Sequence, residues 1–334
     1  MTIKLPKQLR GVADRALLAK IEAGLERVEA GLLQATEHTD PIAKVSIRHL
    51  VEAGGKRLRP VLVLLTAQFG EATNQDVIDA AVVVELTHLA TLYHDDVMDD
   101  APTRRGVPTA QNIWGNNVAI LTGDLLFARA SQLVSKLGVR ALTLQADTFE
   151  RLCLGQLHET LGPSDGVNKR EHYIQVLADK TGSLIAAAAQ MGVLFSGAPQ
   201  EFDEPVRLFG EKIGVAFQLI DDVIDISEAG PSGKTPGTDL RAGVPTLPVL
   251  LLRERAATDP EAAALVELID GGLESDADLE EALTRLRKHE VAELSYLEAK
   301  RWADDAVAAL APLPDGPVKK ALTVFATAVV DRNN

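Results

Sequence analysis

Apolar residues recur along this chain at three- and four-residue intervals, and almost nowhere in strict alternation. That spacing is the buried face of an α-helix. It predicts helices over residues 14–34, 41–53, 75–98, 114–137, 140–161, 170–195, 205–226, 246–255, 260–269, 276–289 and 290–310. The punctuation agrees. Asp40-Pro41 and Asp259-Pro260 each read as an N-cap followed by proline in the first helical turn. Gly138, Gly162 and Gly197 read as helix ends or turns. No alternating run is long enough to build a sheet, and no linker-like stretch divides the chain. Gly230-Pro231-Ser232-Gly233 is the loosest segment, a candidate mobile loop. The expected fold is all-α: one domain over residues 1–334, a large helical bundle around a deep central cavity.

Two acidic motifs interrupt the helical pattern, Asp95-Asp96-Val97-Met98-Asp99 and Asp221-Asp222-Val223-Ile224-Asp225. Positions i, i+1 and i+4 cluster on one helix face, so each motif projects three carboxylates from one patch. Such like charges need a counter-ion. Mg²⁺ is a hard cation that bridges a few carboxylates to substrate phosphates. Two patches facing each other would suit a diphosphate held by several ions. One Asp-Asp-x-x-Asp is most often a solvated acidic turn. Two copies, each behind an apolar run (82–92 and 213–220), fit that bland reading poorly.

Cations accompany both motifs: Gly54-Gly55-Lys56-Arg57-Leu58-Arg59-Pro60, Arg104-Arg105-Gly106, Lys180-Thr181-Gly182 and Gly233-Lys234-Thr235. Alone, each is an ordinary solubilising loop. Beside carboxylate clusters, guanidinium and ammonium groups bind the phosphate oxygens a metal leaves free. The two sets together point to two phosphorylated substrates.

The order of these motifs, with Gln218-x-x-Asp221-Asp222 and Thr246-Leu247-Pro248, resembles the trans-isoprenyl diphosphate synthases of the polyprenyl synthetase family. The likeness runs from residue 54 to residue 248. It implies Mg²⁺, three ions with substrate bound, and two substrates, isopentenyl diphosphate and an allylic diphosphate. It implies that Asp95, Asp96 and Asp99 form a first metal cluster on the allylic diphosphate. Asp221 and Asp222 form a second, with Asp225 a more distant helper. Arg104, Lys180 and Lys234 match allylic diphosphate contacts; Lys56, Arg59, His88 and Arg105 match isopentenyl diphosphate contacts. Thr181 and Gln218 fall where the family places uncharged dipoles near an allylic cation. A lone histidine in an apolar helix is more often a core residue, and Gln218 alone would be unremarkable. The chain departs from the family at Val244, where lysine is usual. In Gly155-Gln156-Leu157-His158-Glu159, amide and acid have exchanged places.

Product length is read below the first motif. Thr91 and Ala90 lie about one helical turn, roughly 6 to 7.5 Å, below Asp95, and Leu86 and Thr87 one turn further. Short-chain family members usually block this spot with Phe or Tyr. Ala and Thr leave it open, so the resemblance implies a long all-trans product, about C30 to C50, of the kind that becomes a quinone side chain. Phe149, Phe195 and Phe217 are candidate floors, though each reads first as plain core.

Composition narrows the picture. With 46% apolar and 25% charged residues the chain can build an ordinary globular core. A net charge of −14 disfavours nucleic acid and anionic membrane surfaces. No run approaches the roughly 20 apolar residues needed to span a bilayer, the longest candidates being 184–189 and 321–330. The first ten residues show no signal-peptide core, and the single Cys153 fits a reducing compartment. A cytoplasmic enzyme is expected, a homodimer by the resemblance, with at most transient membrane contact for product release.

The competing readings are few. A terpene cyclase would replace the second Asp motif. A di-iron bundle needs two Glu-x-x-His elements, and only Glu85-Leu86-Thr87-His88 is present. A non-catalytic subunit of a heteromeric synthase would tend to lack the motifs. A geranylgeranyl- or farnesyl-length synthase is the runner-up.

Overall fold

The computed structural model describes residues 14–227 and 236–330. In chain order the helices are α1 (Arg15–Ala35), α2 (Pro41–Glu52), α3 (Leu58–Thr66), α4 (Gln75–Met98), α5 (Ala110–Trp114), α6 (Asn116–Val134), α7 (Val139–Leu161) and α8 (Lys169–Leu177). They continue with α9 (Ser183–Ser196), α10 (Asp203–Ile226), α11 (Thr238–Arg241), α12 (Leu247–Arg255), α13 (Pro260–Asp270), α14 (Asp276–Lys288), α15 (Glu290–Ala309) and α16 (Pro317–Val330). The strands among the described residues are β1 (Thr103–Arg104) and β2 (Val107–Pro108), one antiparallel hairpin. The fold is all-α, as the periodicity predicts.

The described residues form two compact units interleaved in sequence: 14–150, 184–210 and 310–324 make the first, and 151–183, 211–227, 236–309 and 325–330 the second. In the first, α4 is the core helix. Asn74 caps it, and its side chains from Val77 to Leu89 are buried almost without break. A helix apolar on all sides belongs in an interior. α1 lays Leu17, Ile21, Leu25, Val28 and Leu32 toward this core, one stripe at helical spacing. α3 and α9 cross closely: Thr66 Oγ1 donates to Ala189 O at 2.9 Å, and a Cβ on Gly192 would collide with Thr66 and Val63.

In the second unit Leu247 to Leu252 of α12 are all buried. α13 packs against α12 and begins at Asp259, which accepts from Glu261 N at 2.9 Å. α14 begins at Ser275, which accepts from Asp278 N. These are the side-chain caps expected at helix starts.

The structure departs from the periodicity reading at several places, among them α16, Pro317–Val330, a helix that reading lacks. Residues 170–195 are two helices joined by a π turn, Ala178–Gly182. Residues 114–137 break at Gly115, whose φ of 83° ends α5 before α6 begins. α3 was invisible as a helix because its short run is apolar at nearly every position and shows no period. Membrane-length runs also need correction. By length and mean hydropathy, Gln75–Met98 and Asn116–Leu137 could each cross a bilayer. A mean tolerates scattered polar residues that an uninterrupted run does not. Within Gln75–Met98, 72% of an 18-residue apolar stretch is buried inside the protein, which marks a core helix.

Candidate active site

Both acidic motifs end a helix. Asp95 and Asp96 lie in the last turn of α4 and Asp99 is its C-cap; Asp221, Asp222 and Asp225 close α10. Neither helix has a basic residue in its last turn. A helix C-terminus carries partial negative charge, so each carboxylate there is misplaced by about 0.3–1 kcal/mol. Cations from elsewhere must offset this.

In the first unit they come from the β hairpin. Its two-residue loop, Arg105-Gly106, has φ of 55° and 79°. Positive φ at both positions is the turn geometry that matches strand twist. The loop sends its neighbouring arginines different ways. Arg104 meets Asp96 Oδ1 through Nε at 2.7 Å and Nη2 at 2.6 Å. Arg105 donates to Leu50 O at 2.9 Å and to Gly54 O. Gly55 is required beneath it, because a Cβ there would lie 2.9 Å from the Arg105 guanidinium carbon. Asp95 is half-buried, Asp96 buried and Asp99 exposed. The three carboxylates of one patch thus meet three environments. Burial raises the Asp96 carboxyl above its usual value, with Arg104 opposing.

Arg57 organises the neighbouring loop. Its side chain is 1% exposed and adopts a left-handed φ of 49°. It donates to Glu29 at 2.5 Å, Glu85 at 2.8 Å and Val51 O at 3.0 Å. Glu85 is also 3.6 Å from Arg105. The Glu-x-x-His element is therefore spent on arginines. Lys56 is exposed; Arg59 is part-exposed, yet its Nε is buried without a hydrogen-bond partner. Burial lowers Arg59 to about 10, against the pull of Glu85. Burial, and then Arg59, Arg105, Arg104 and Arg57, hold His88 well below its ordinary value, so its imidazole is neutral. Lys56, Arg57, Arg59 and Arg105 around Glu29 and Glu85 leave a surplus of positive charge suited to an anion.

In the second unit, Asp221 is half-buried and Asp222 and Asp225 are buried. Asp222 Oδ2 accepts from Tyr173 Oη at 2.6 Å and from Leu247 N at 3.0 Å. Burial pushes its pKa up to about 7, with Asp239 and Asp221 adding to the rise. Asp225 accepts from the amides of Thr238, Asp239 and Leu240 at 3.1–3.4 Å. It anchors the segment that follows residues 228–235. Lys180 and Thr181 sit in the π turn, a distortion often found at functional sites. Gly155 lets α7 approach, since a Cβ there would be 2.7 Å from Lys180 N. Lys180 Nζ is paired with Glu159. The exchanged acid therefore holds this lysine, while Gln156 Oε1 is buried without a hydrogen-bond partner. Arg151 clamps the turn, reaching Asp179 at 2.7 Å and Glu211 at 2.8 Å. Gln218 is part-exposed one turn before Asp222. Lys234 lies outside the described residues, and Val244 is 39% exposed.

Among the described residues no three His, Cys, Asp or Glu side chains converge as a ready-made metal cage. The motifs offer partial sets of hard oxygens instead. Asp96 Oδ2 is buried with no hydrogen-bond partner. Such open sets suit a hard divalent ion that takes its remaining ligands from water and phosphate.

On α4, His88, Thr91, Leu92 and Asp95 are part-exposed, while Val84, Leu86, Thr87 and Ala90 are wholly buried. Thr87 Oγ1 accepts from Gln145 Nε2 at 2.8 Å, about 12 Å along the helix from Asp95. Tyr93 turns away: its hydroxyl donates to Ser46 O at 2.5 Å and accepts from Leu50 N. Phe149 packs against Phe127 with ring centroids 4.2 Å apart and the planes tilted by 52°.

Sequence reasoning missed Tyr173, Glu85 as an arginine partner, Arg57 as an anchor and Gln145. A lone glutamate inside an apolar helix was a usable signal for Glu85. Nothing in its sequence context marked Tyr173.

An all-α scaffold that ends two helices in carboxylate motifs, one of them met by Arg104, fits the class of enzymes that act on phosphorylated substrates. The polyprenyl synthetase family profile matches residues 40–286. The nonaprenyl diphosphate synthase of Mycobacterium tuberculosis is 45% identical over 325 residues, 96% of each chain. The geranylgeranyl pyrophosphate synthase of Corynebacterium glutamicum, solved with calcium and isoprenyl diphosphate, superposes with a TM-score of 0.87 at 42% identity, covering 96% of this chain and 99% of that one. A decaprenyl diphosphate synthase from Rhodobacter capsulatus gives 0.86 at 34% identity, covering 96% and 99%. This chain belongs to the polyprenyl synthetase family and is a prenyltransferase.

Proposed function

We propose that this enzyme condenses isopentenyl diphosphate head-to-tail onto farnesyl or geranylgeranyl diphosphate, with Mg²⁺, to make a long all-trans polyprenyl diphosphate. The observation that carries this is the pair of carboxylate motifs at helix C-termini, each lacking basic residues in its last turn, with Arg104 of the hairpin on the first and neutral donors, Tyr173 and the Leu247 amide, on the second. Asp95, Asp96, Asp99, Asp221 and Asp222 would hold three ions, with Asp225 behind them. Bound metal supplies charge neutralisation of the departing diphosphate. Arg104, Lys180 and Lys234 bind the allylic diphosphate; Lys56, Arg59, Arg105 and neutral His88 bind isopentenyl diphosphate. Thr181 and Gln218 present dipoles to the allylic cation without trapping it. The isopentenyl double bond attacks that cation, a proton leaves, and the chain grows by five carbons. The family match spans both units, which supports one synthase domain.

A product of about C30 to C50 rests on the non-aromatic α4 face, where Thr91 is part-exposed one turn below Asp95. The mycobacterial and Rhodobacter relatives support it by name. A geranylgeranyl-length product is the second reading. It is favoured by the buried Gln145–Thr87 hydrogen bond, which closes the α4 face one turn further down. A quinone side chain is the proposed destination of the long product. A cytoplasmic homodimer is proposed, supported by the exposed Ile120, Leu121 and Leu125 on α6. The test is product analysis by mass spectrometry after incubation with Mg²⁺, labelled isopentenyl diphosphate and either starter. Products of about C30 or longer fit the first reading and geranylgeranyl diphosphate the second, since an open α4 face passes the tail and a closed one stops it. No product with any starter defeats both.

A further inference from the structure

The three carboxylates of the second motif are not equivalent. Asp225 is committed to backbone amides of Thr238, Asp239 and Leu240. Asp222 is held by two donors from two other helices, the Tyr173 hydroxyl of α8 and the Leu247 amide of α12. Both donors reach the same oxygen, Oδ2. We infer that Tyr173 is a positioning residue for the metal centre: with the Leu247 amide it fixes Oδ2 of Asp222, so that Oδ1 is presented to the ion in one orientation.

The physical case has three parts. Rotation of a carboxylate about its last side-chain bond is broad and nearly two-fold, so an unheld aspartate does not keep one oxygen in one place. Two donors on a single oxygen remove that freedom. Neither donor is charged, so neither neutralises the carboxylate. Asp96, by contrast, faces the Arg104 guanidinium. Those two contacts give Asp222 no fixed counter-charge with which an incoming cation must compete. Lastly, the Leu247 amide opens α12, where backbone donors have no helical partner, and Pro248 next to it has no N–H to offer. Asp222 satisfies that orphan donor. The Thr246-Leu247-Pro248 element thereby becomes part of the support for the acidic motif. Outer partners of this kind, when removed, typically cost 10–100-fold in metal affinity, roughly.

The inference rests on the reading of Asp222 as a metal ligand, and the experiment separates the two. Mn²⁺ binding is followed by electron paramagnetic resonance, with a non-reactive thio-diphosphate analogue of farnesyl diphosphate present. Wild type, Tyr173→Phe and Asp222→Asn are compared, together with their melting temperatures and the Mg²⁺ dependence of turnover. Tyr173→Phe keeps the ring and removes only the hydroxyl. The expected result is metal binding weakened about tenfold or more, an unchanged melting temperature, and turnover restored at high Mg²⁺. Wild-type affinity in Tyr173→Phe, with weakened binding in Asp222→Asn, overturns the positioning role alone. A turnover loss that high Mg²⁺ does not restore assigns Tyr173 to packing and also overturns it. Wild-type binding in Asp222→Asn removes the metal-ligand reading itself.

Discussion

Replacing Arg57 with Ala strips a buried carboxylate of its main partner. The Arg57 and Glu85 side chains are 1% and 2% exposed, and their closest approach is 2.8 Å. After the change Glu85 keeps only Arg105 among its ion-pair partners, at 3.6 Å. The Val51 carbonyl also loses its guanidinium donor. Breaking a buried pair from one side costs about 3–5 kcal/mol. In a chain of this size that lowers Tm by roughly 4–7 °C. The double variant Arg57→Met, Glu85→Met removes both charges and should recover much of the loss, because no orphan carboxylate remains. Function should follow geometry. Arg57 lies between Lys56 and Arg59, so Arg57→Ala should raise KM for isopentenyl diphosphate more than KM for the allylic substrate. Differential scanning calorimetry and two-substrate kinetics measure both effects. An Arg57→Ala protein that melts with wild type, or a double variant worse than the sum of its singles, would refute the reasoning.

Two further predictions concern metal and product. Asp222 has a folded-state pKa pushed up to about 7 from an ordinary 3.8. The folded metal-free chain therefore binds this proton more tightly than the unfolded chain. Its contribution to stability is present at low pH and is lost as pH rises through about 7. Mg²⁺ must displace the same proton, so the Mg²⁺ concentration for half-maximal turnover should rise as pH drops below about 7, which titrations at acidic and alkaline pH would show. Gln145→Ala opens the α4 face at Thr87 and should shift the product distribution toward longer chains in the mass spectrum; an unchanged distribution removes this pair as a stop.

The sequence made the chemistry legible more readily than its geometry. Helix 75–98 was readable to the residue because capping by Asn74 and the acidic C-terminus bracket an apolar run. The π turn at Ala178–Gly182 was not, since five residues between apolar helical runs fit a continuous helix in sequence, and only the approach of Gly155 and the Arg151 clamp reveal it. The hairpin escaped because two-residue strands carry no alternation. The aspartates were found as a set, yet local spacing cannot say that Asp96 meets Arg104, that Asp225 caps α11, or that Asp222 is held by residues from α8 and α12. Those assignments depend on contacts between segments distant in sequence.

The most direct test of the account is prenyl transfer against Mg²⁺ concentration for wild type, Asp95→Ala and Asp221→Ala, with circular dichroism as the control for folding. The account predicts that each substitution lowers turnover by orders of magnitude while the helical signal is unchanged. Wild-type turnover in both variants would contradict it.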